Sequence, residues 1–429
     1  MLKKSIGILL LLGLFSWSCP TEATDVRIAL VQDQNTLALQ AEHPFLVKDL
    51  RTGAEQKLEK GKYYAHVQEG HLYLEKQALG DTLLLTALEG KKLPEVNGRS
   101  YDGSLRLELQ GDKLLAVNTL ELERLLARVL PQKTMPVWPD EAIKAQAVAA
   151  RSYVLHQLWQ HGYETYDLKA MDAELPYAGL GRSTEKPVIT KLIRATAGQY
   201  LADTRGRPIL AVSTSSSGGR TEMGEAVFNK DYSYLQSVKD YDEDSPEHKW
   251  DFRISPSYVQ NILEQHGHTL GKLANVRLSP WDEPGADRTE SGRVRYIIFG
   301  GTLGSVKVSG AKLAEYLSLN SNCFEVETGS PPPESLKVPL ENVYGMEVGR
   351  KEIPIKVKTE ELRVWKNYMR SYHILTDAKD EKIIFHGRGK GHGVGLSAWG
   401  ARGMAGGEEG KRYEEILRHY YPGTTLVKD

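Results

Sequence analysis

Glycine occupies every second position from Gly387 to Gly395, and the residues between are Arg388, Lys390, His392 and Val394. If the run is extended, one face is bare backbone and the other is basic. Ordering such a run is entropically costly, so it belongs where something approaches the backbone closely. A polysaccharide laid along it, with Trp399 nearby as a stacking surface, fits that requirement. Tight packing of a strand on a helix, with no ligand, fits it too. His392 is a candidate acid/base group or sugar contact, and equally a hydrogen-bonded structural residue. Glycines at strict intervals of two match neither the dinucleotide fingerprint nor the phosphate loop.

A second polar cluster, Thr214-Ser215-Ser216-Ser217-Gly218-Gly219-Arg220-Thr221-Glu222, follows an apolar stretch. A serine nucleophile on an elbow needs GxSxG, whereas here the glycines follow the serines. Amides and hydroxyls converging on a ligand's hydroxyl or carboxylate fit better, with Ser217, Gly219 and Thr221 as the contacts; the alternative is a solvated turn. No HExxH occurs, and the 12 histidines lack ligand spacing. The two cysteines, Cys19 and Cys323, provide neither a disulfide framework nor a thiolate zinc site. Cys323 reads as a buried small hydrophobe. No metal and no cofactor is expected.

These segments must be held by regular elements. Trp138-Pro139-Asp140-Glu141 opens a helix, with proline early and two acids at the positive end of the dipole. Ile143, Ala147, Ala150, Val154 and Leu158 then form one apolar stripe, and Gly162 is a stop. Gln146 and Tyr153 lie on one side of that stripe and Arg151 on the other. Alanines at 142, 145, 147, 149 and 150 allow another element to come close. These polar residues are candidate ligand contacts, or simply bond neighbouring backbone. Short alternating runs between Asp25 and Asn118 predict a small N-terminal β-domain over 25–118. Residues 188–240 and 273–308 read as β, 256–266 and 310–318 as helices. Tyr413, Ile416, Leu417 and Tyr420 mark a last amphipathic helix before Pro422-Gly423. The fold class is α+β, β-rich with a few packed helices.

The chain has 429 residues, charged residues make up 26 %, and its net charge of −1 supplies no global field for nucleic acid. Lys3, Lys4 and the apolar stretch Ile6–Phe15 read as a signal peptide over 1–23, too short to cross a hydrocarbon core of ~30 Å. Ordinary secretion and a lipid on Cys19 both fit. The expected location is therefore periplasmic or cell-envelope, with no transmembrane span in the mature chain.

Together these segments resemble the SpoIID/LytB domain family. The likeness runs through Leu122-Glu123, Trp138–Tyr153 (WPDEAIKAQAVAARSY), Thr196-Ala197-Gly198-Gln199, Ser215–Glu222 and Tyr234–Val238. It continues through Ser291–Val294, GRGKGHGVGLSAWGARGMA and Tyr420-Tyr421-Pro422-Gly423. It implies a SpoIID-like domain over 119–425, with an insertion at about 327–378, acting on peptidoglycan. Some members resemble lytic transglycosylases of denuded glycan; others enhance a cell-wall amidase. The resemblance places a general acid/base glutamate ahead of the tryptophan-proline pair, and here that position holds Lys133. An ordinary lysine is protonated at neutral pH and cannot act as the base. Glu123 and Glu141 are substitute candidates. The resemblance implies that some relatives hold zinc through histidine and cysteines around the Ser-Gly-Gly turn; here Ser213 and Ser217 stand in that region without a cysteine, so no structural zinc is expected. The resulting expectation is a glycan-strand binder that assists an amidase, contacting its ligand through Gln146, Arg151, Tyr153, Ser217, Gly219, Thr221, Arg388, His392, Ser397 and Trp399. An active transglycosylase and a structural envelope protein are the alternatives, so whether it is an enzyme stays open.

Overall fold

The computed structural model describes residues 24–135, 137–162, 164–180, 186–328, 335–341, 347–354, 370–375, 381–407 and 410–428. The leader, with Cys19, lies outside the described residues, as does most of the predicted insertion. Within that insertion, strand Ser335–Glu341 pairs with Glu347–Pro354, and Tyr372–Ile374 pairs with Leu273–Arg277.

The alternating N-terminal runs form two antiparallel sheets. Asp25–Gln34, Lys113–Glu121, Ser104–Gln110, Thr82–Ala87 and Phe45–Asp49 are successive strands of a seven-stranded sheet. Thr36–Ala41 and Gly61–Gln68 lie in a five-stranded sheet. Period-two alternation puts Leu105, Leu107, Leu83 and Leu85 inside, all 1 % exposed or less. Their apolar cluster continues into helices α1 (Leu122–Lys133) and α2 (Asp140–His161) and on to Tyr421. A second core joins helices Pro256–Gln265 and Gly310–Tyr316 to strands between Leu273 and Phe385.

Helix α2 is the central rod. The predicted stripe is buried from Ile143 to Val154, with Leu158 partly so, but Ala142, Ala145, Val148, Ala149 and Leu155 are buried too, so α2 is sheathed on every side up to His156. Its alanines admit three helices at once: Pro187–Ala195, Ala398–Gly406 and Tyr413–Tyr420. The first of these corrects the β reading of 188–240. Pro187 sits at the first helical position, and Ile189, Leu192 and Ile193 supply the buried i, i+3, i+4 face.

The glycine run is not an extended ribbon. Strand Ile383–Arg388 ends where the glycines begin to turn: φ is +71° at Gly389, +99° at Gly391, +81° at Gly393 and +73° at Gly395. What approaches these glycines is the protein itself. A Cβ on Gly387 would fall 2.0 Å from the Trp250 ring, on Gly389 2.6 Å from the Ser216 carbonyl, and on Gly395 2.1 Å from the Val212 carbonyl. Gly395→Ala is therefore expected to cost about 3 kcal/mol or more in chemical denaturation. Gly53→Ala, with a similar φ of +76° but nothing within 4 Å, should cost only about 1 kcal/mol. Equal losses at the two sites would show that conformation, not packing, dictates these glycines.

Candidate functional site

Five separate segments bring polar side chains to one place. Lys133 ends α1, and its ammonium donates to Ser213 Oγ at 3.2 Å. Ser213 begins a two-residue strand that pairs in parallel with Leu396-Ser397, just past the glycine run. Tyr153, from α2, donates to Asp172 Oδ2 at 2.9 Å. Asp172 Oδ1 accepts the amides of Glu174 and Leu175, both at 2.9 Å, which sets the turn that aims Glu174. Glu174 Oε2 accepts the Ser213 amide at 2.8 Å, and Oε1 meets His392 Nε2 at 2.8 Å. The Val394 amide donates to His392 Nδ1 at 3.0 Å. An amide can only donate, so Nδ1 is the acceptor and Nε2 carries the hydrogen given to Glu174. A continuous chain Tyr153–Asp172–Glu174–His392 thus connects α2 with the glycine run.

Electrostatics sharpen the roles. Burial pushes the Lys133 amine below its ordinary value, against the opposing pull of Glu174 and Asp172. Burial also acts to raise Glu174, but the His392 hydrogen bond, the Lys133 charge and the Ser213 amide together hold it below the usual carboxylate range. Burial and the Asp172 carboxylate push the Tyr153 phenol up, so it remains a donor.

His392 also lines a hollow of about 610 Å³, with Lys390, Val227, Glu315, Asn320 and Asn322. A neighbouring hollow of about 840 Å³ shares Val227 and Asn322 and reaches Glu290 and Arg295. The two form a groove between the two cores that ends on His392. Phe228 and Tyr232 stand beside it, with the Phe228 ring 6.2 Å from that of His392.

The other predicted residues lie elsewhere. Arg151 is 1 % exposed, makes a two-pronged pair with Glu123 at 2.7 and 2.8 Å, and donates to the carbonyls of Gln199 and Ile193. Glu141 is taken by Lys144 at 2.6 Å and the Tyr413 amide at 2.9 Å. Ser217 donates to Asp240 at 2.5 Å, where Tyr420 also donates at 2.6 Å. Burial and neighbouring Asp242 raise the Asp240 carboxyl. Thr221 donates to the Gln236 carbonyl at 3.0 Å, and Ser397 caps its helix by accepting from the Gly400 amide at 3.1 Å. Gln146 is buried against α2's own Ala142 carbonyl. Gly219, with φ of +100°, makes the turn that follows Ser217. The Arg388 guanidinium stacks 4.0 Å from the Trp281 ring, and Trp399 packs 5.1 Å from Trp138. Tyr153, Lys133 and His392 are thus brought together, while Arg151, Ser217, Thr221, Ser397 and Gln146 bond inside the protein. Cys323 is buried, and burial raises its thiol. Among the described residues, no three His, Cys, Asp or Glu side chains are grouped to hold a metal ion, and no helix is long and apolar enough to cross a membrane.

Glu174, Asp172 and Ser213 are the members of the cluster that motif reading did not assign to it. Glu174 and His392 are 218 positions apart. The only local sign is an Asp-x-Glu in a turn-rich stretch, which is too common to single out.

Residues 110–202 match the family model described as SpoIID, stage II sporulation protein. The chain is 26 % identical over 325 residues to stage II sporulation protein D of Bacillus subtilis, covering 72 % of this chain and 76 % of that one. It is 28 % identical over 318 residues to the amidase enhancer of the same organism, covering 70 % of this chain but only 40 % of that longer relative. An uncharacterized protein of Brachyspira hyodysenteriae is 25 % identical over 333 residues, covering 77 % of this chain and 73 % of its own.

Proposed function

We propose, from the premise that this chain carries a SpoIID/LytB-family domain, that it is an exported cell-wall remodelling protein which binds peptidoglycan glycan strands and assists an amidase. The relatives named for sporulation and for amidase enhancement support the wall role. The short charged and apolar leader supports export. The observation that carries the finer reading is the contact of Lys133 with Ser213 in the cluster, at the position where the family resemblance leads one to expect the glutamate.

An acid-catalysed cut of a glycosidic bond needs a carboxyl that starts protonated. Glu123 and Glu141 are engaged in ion pairs, and Glu174 is held in its ionised form. Binding without the standard cleavage is what remains. The groove is lined by amide, hydroxyl and charged side chains, Asn320, Asn322, Ser321 and Lys390 among them, and by the apolar Ala226 and Val227, a mixture suited to the polar edges and apolar faces of sugars.

Co-sedimentation of the leaderless protein with purified sacculi tests this. Replacing Asn320 and Lys390 together with alanine is expected to weaken retention about thirtyfold, because each lost contact of this type is worth about 1 kcal/mol. Retention by sacculi that the double variant leaves unchanged would remove the groove from the reading. Failure of the unaltered protein to sediment would remove the reading itself.

A further inference from the structure

Counting the bonds in the cluster shows which atoms have capacity to spare. His392 uses both ring nitrogens, Asp172 uses both oxygens, Tyr153 gives its hydrogen to Asp172, and each Glu174 oxygen already accepts. Lys133 Nζ and Ser213 Oγ are left facing each other at 3.2 Å, both half-buried. Ser213 is fixed by strand pairing with Leu396 and by the hold of Glu174 on its amide. An amine within reach of a positioned hydroxyl is the arrangement of a base beside a nucleophile.

We propose that Lys133 and Ser213 form a base–nucleophile pair that removes acyl groups from esters of sugar hydroxyls. The sugar part of this proposal rests on the wall-binding reading above; the chemistry of the pair does not. The neutral Lys133 amine takes the Ser213 Oγ proton as Oγ bonds to the ester carbonyl carbon. The bond from that carbon to the sugar oxygen then breaks, and Lys133 returns the proton to the leaving alkoxide. Water, deprotonated by Lys133, attacks the acyl-serine, releasing the carboxylic acid and restoring the hydroxyl. One ester and one water give one alcohol and one acid. Esters suit the pair better than amides, because an alkoxide leaves without the stronger protonation an amine requires.

The charges acting on Lys133 are those of Glu174 and Asp172 from the turn; Tyr153 and His392 are bonded to those two carboxylates, and Lys186 donates to the Pro131 carbonyl of the same helix. Burial lowers the lysine and the carboxylates oppose it, so the neutral amine gains population as pH rises. The rate should climb with pH accordingly.

Incubating the protein with p-nitrophenyl acetate and mapping the acetyl group by peptide mass spectrometry tests the pair. The label is expected on Ser213, forming faster at higher pH. It should be lost in Ser213→Ala and slowed at least tenfold in Lys133→Arg, which keeps the charge but cannot serve as a base. Ser213→Cys, a nucleophile of similar size, should become labelled if folding of the alanine variant is in question. No acetyl on Ser213, an acetyl on Lys133 in its place, or an unslowed Lys133→Arg variant would each overturn the proposal. Sacculus sedimentation of the same variants separates the two ideas: labelling without sedimentation sinks the wall reading alone, and sedimentation without labelling sinks this one alone.

Discussion

Lys133→Glu is expected to switch on glycan cleavage. Digests of denuded strands, read by mass spectrometry for 1,6-anhydro ends, should rise from background by at least about 10²-fold, the lower end of what a positioned general acid contributes. Electrostatics at the end of α1 decide the outcome. At the end of α1, Lys133 lies near Glu174 and Asp172, whose charges now act to keep the amine protonated. A carboxyl in the same place would meet two like charges and a desolvating wall, and both raise its pKa. It would start protonated, as the first step requires, and become a competent base once the bond has broken. Activity should therefore extend toward neutral pH, not fall away above the ordinary glutamate range. The same repulsion should lower stability by about 1–2 kcal/mol. If the variant folds, sediments with sacculi and yields no anhydro ends, the glycosidic bond does not lie over the end of α1, and the place of the lysine in the proposal fails with it.

How far this could be read from the chain differs between elements for physical reasons. α2 was legible because its caps and apolar spacing are local, and so were Pro256–Gln265 and Tyr413–Tyr420. The helix Pro187–Ala195 reads as β in sequence because Val188, Ile189, Ile193 and their neighbours favour strands; Pro187 at its start is the counter-signal. In the glycine run, the need for close approach was legible but not what approaches. Trp250, Ser216 and Val212 come from segments more than a hundred residues away, and no local pattern encodes that. The same holds for Glu174, which acquires meaning only through Ser213 and His392. Polar residues in a motif look the same in sequence whether they face a ligand or form a buried polar network. Ser217 on Asp240 and Thr221 on the Gln236 carbonyl are such a network.

Arg151 shows how the two kinds of residue can be told apart. Arg151→Ala is expected to destabilise the protein by about 3–5 kcal/mol, the loss associated with breaking a buried ion pair. The guanidinium is 2 % exposed, whereas Glu123 keeps 25 % of its side chain in water. After Arg151→Ala the stranded carboxylate can rehydrate, so much of the loss comes from the carbonyls of Gln199 and Ile193 and from the cavity. Glu123→Ala leaves the opposite problem, a buried cation with only those carbonyls for company, and should cost a comparable amount. Because each single change strands a partner, the double variant should lose less than the sum, by at least about 1 kcal/mol. With two cores the whole chain need not unfold in one step, so hydrogen exchange along α2 is the measurement that isolates the effect. A contact residue would behave oppositely, losing sacculus retention while leaving α2 protection intact. That pattern at Arg151 would return it to the binding surface and detach the pair with Glu123 from the stability of the helix.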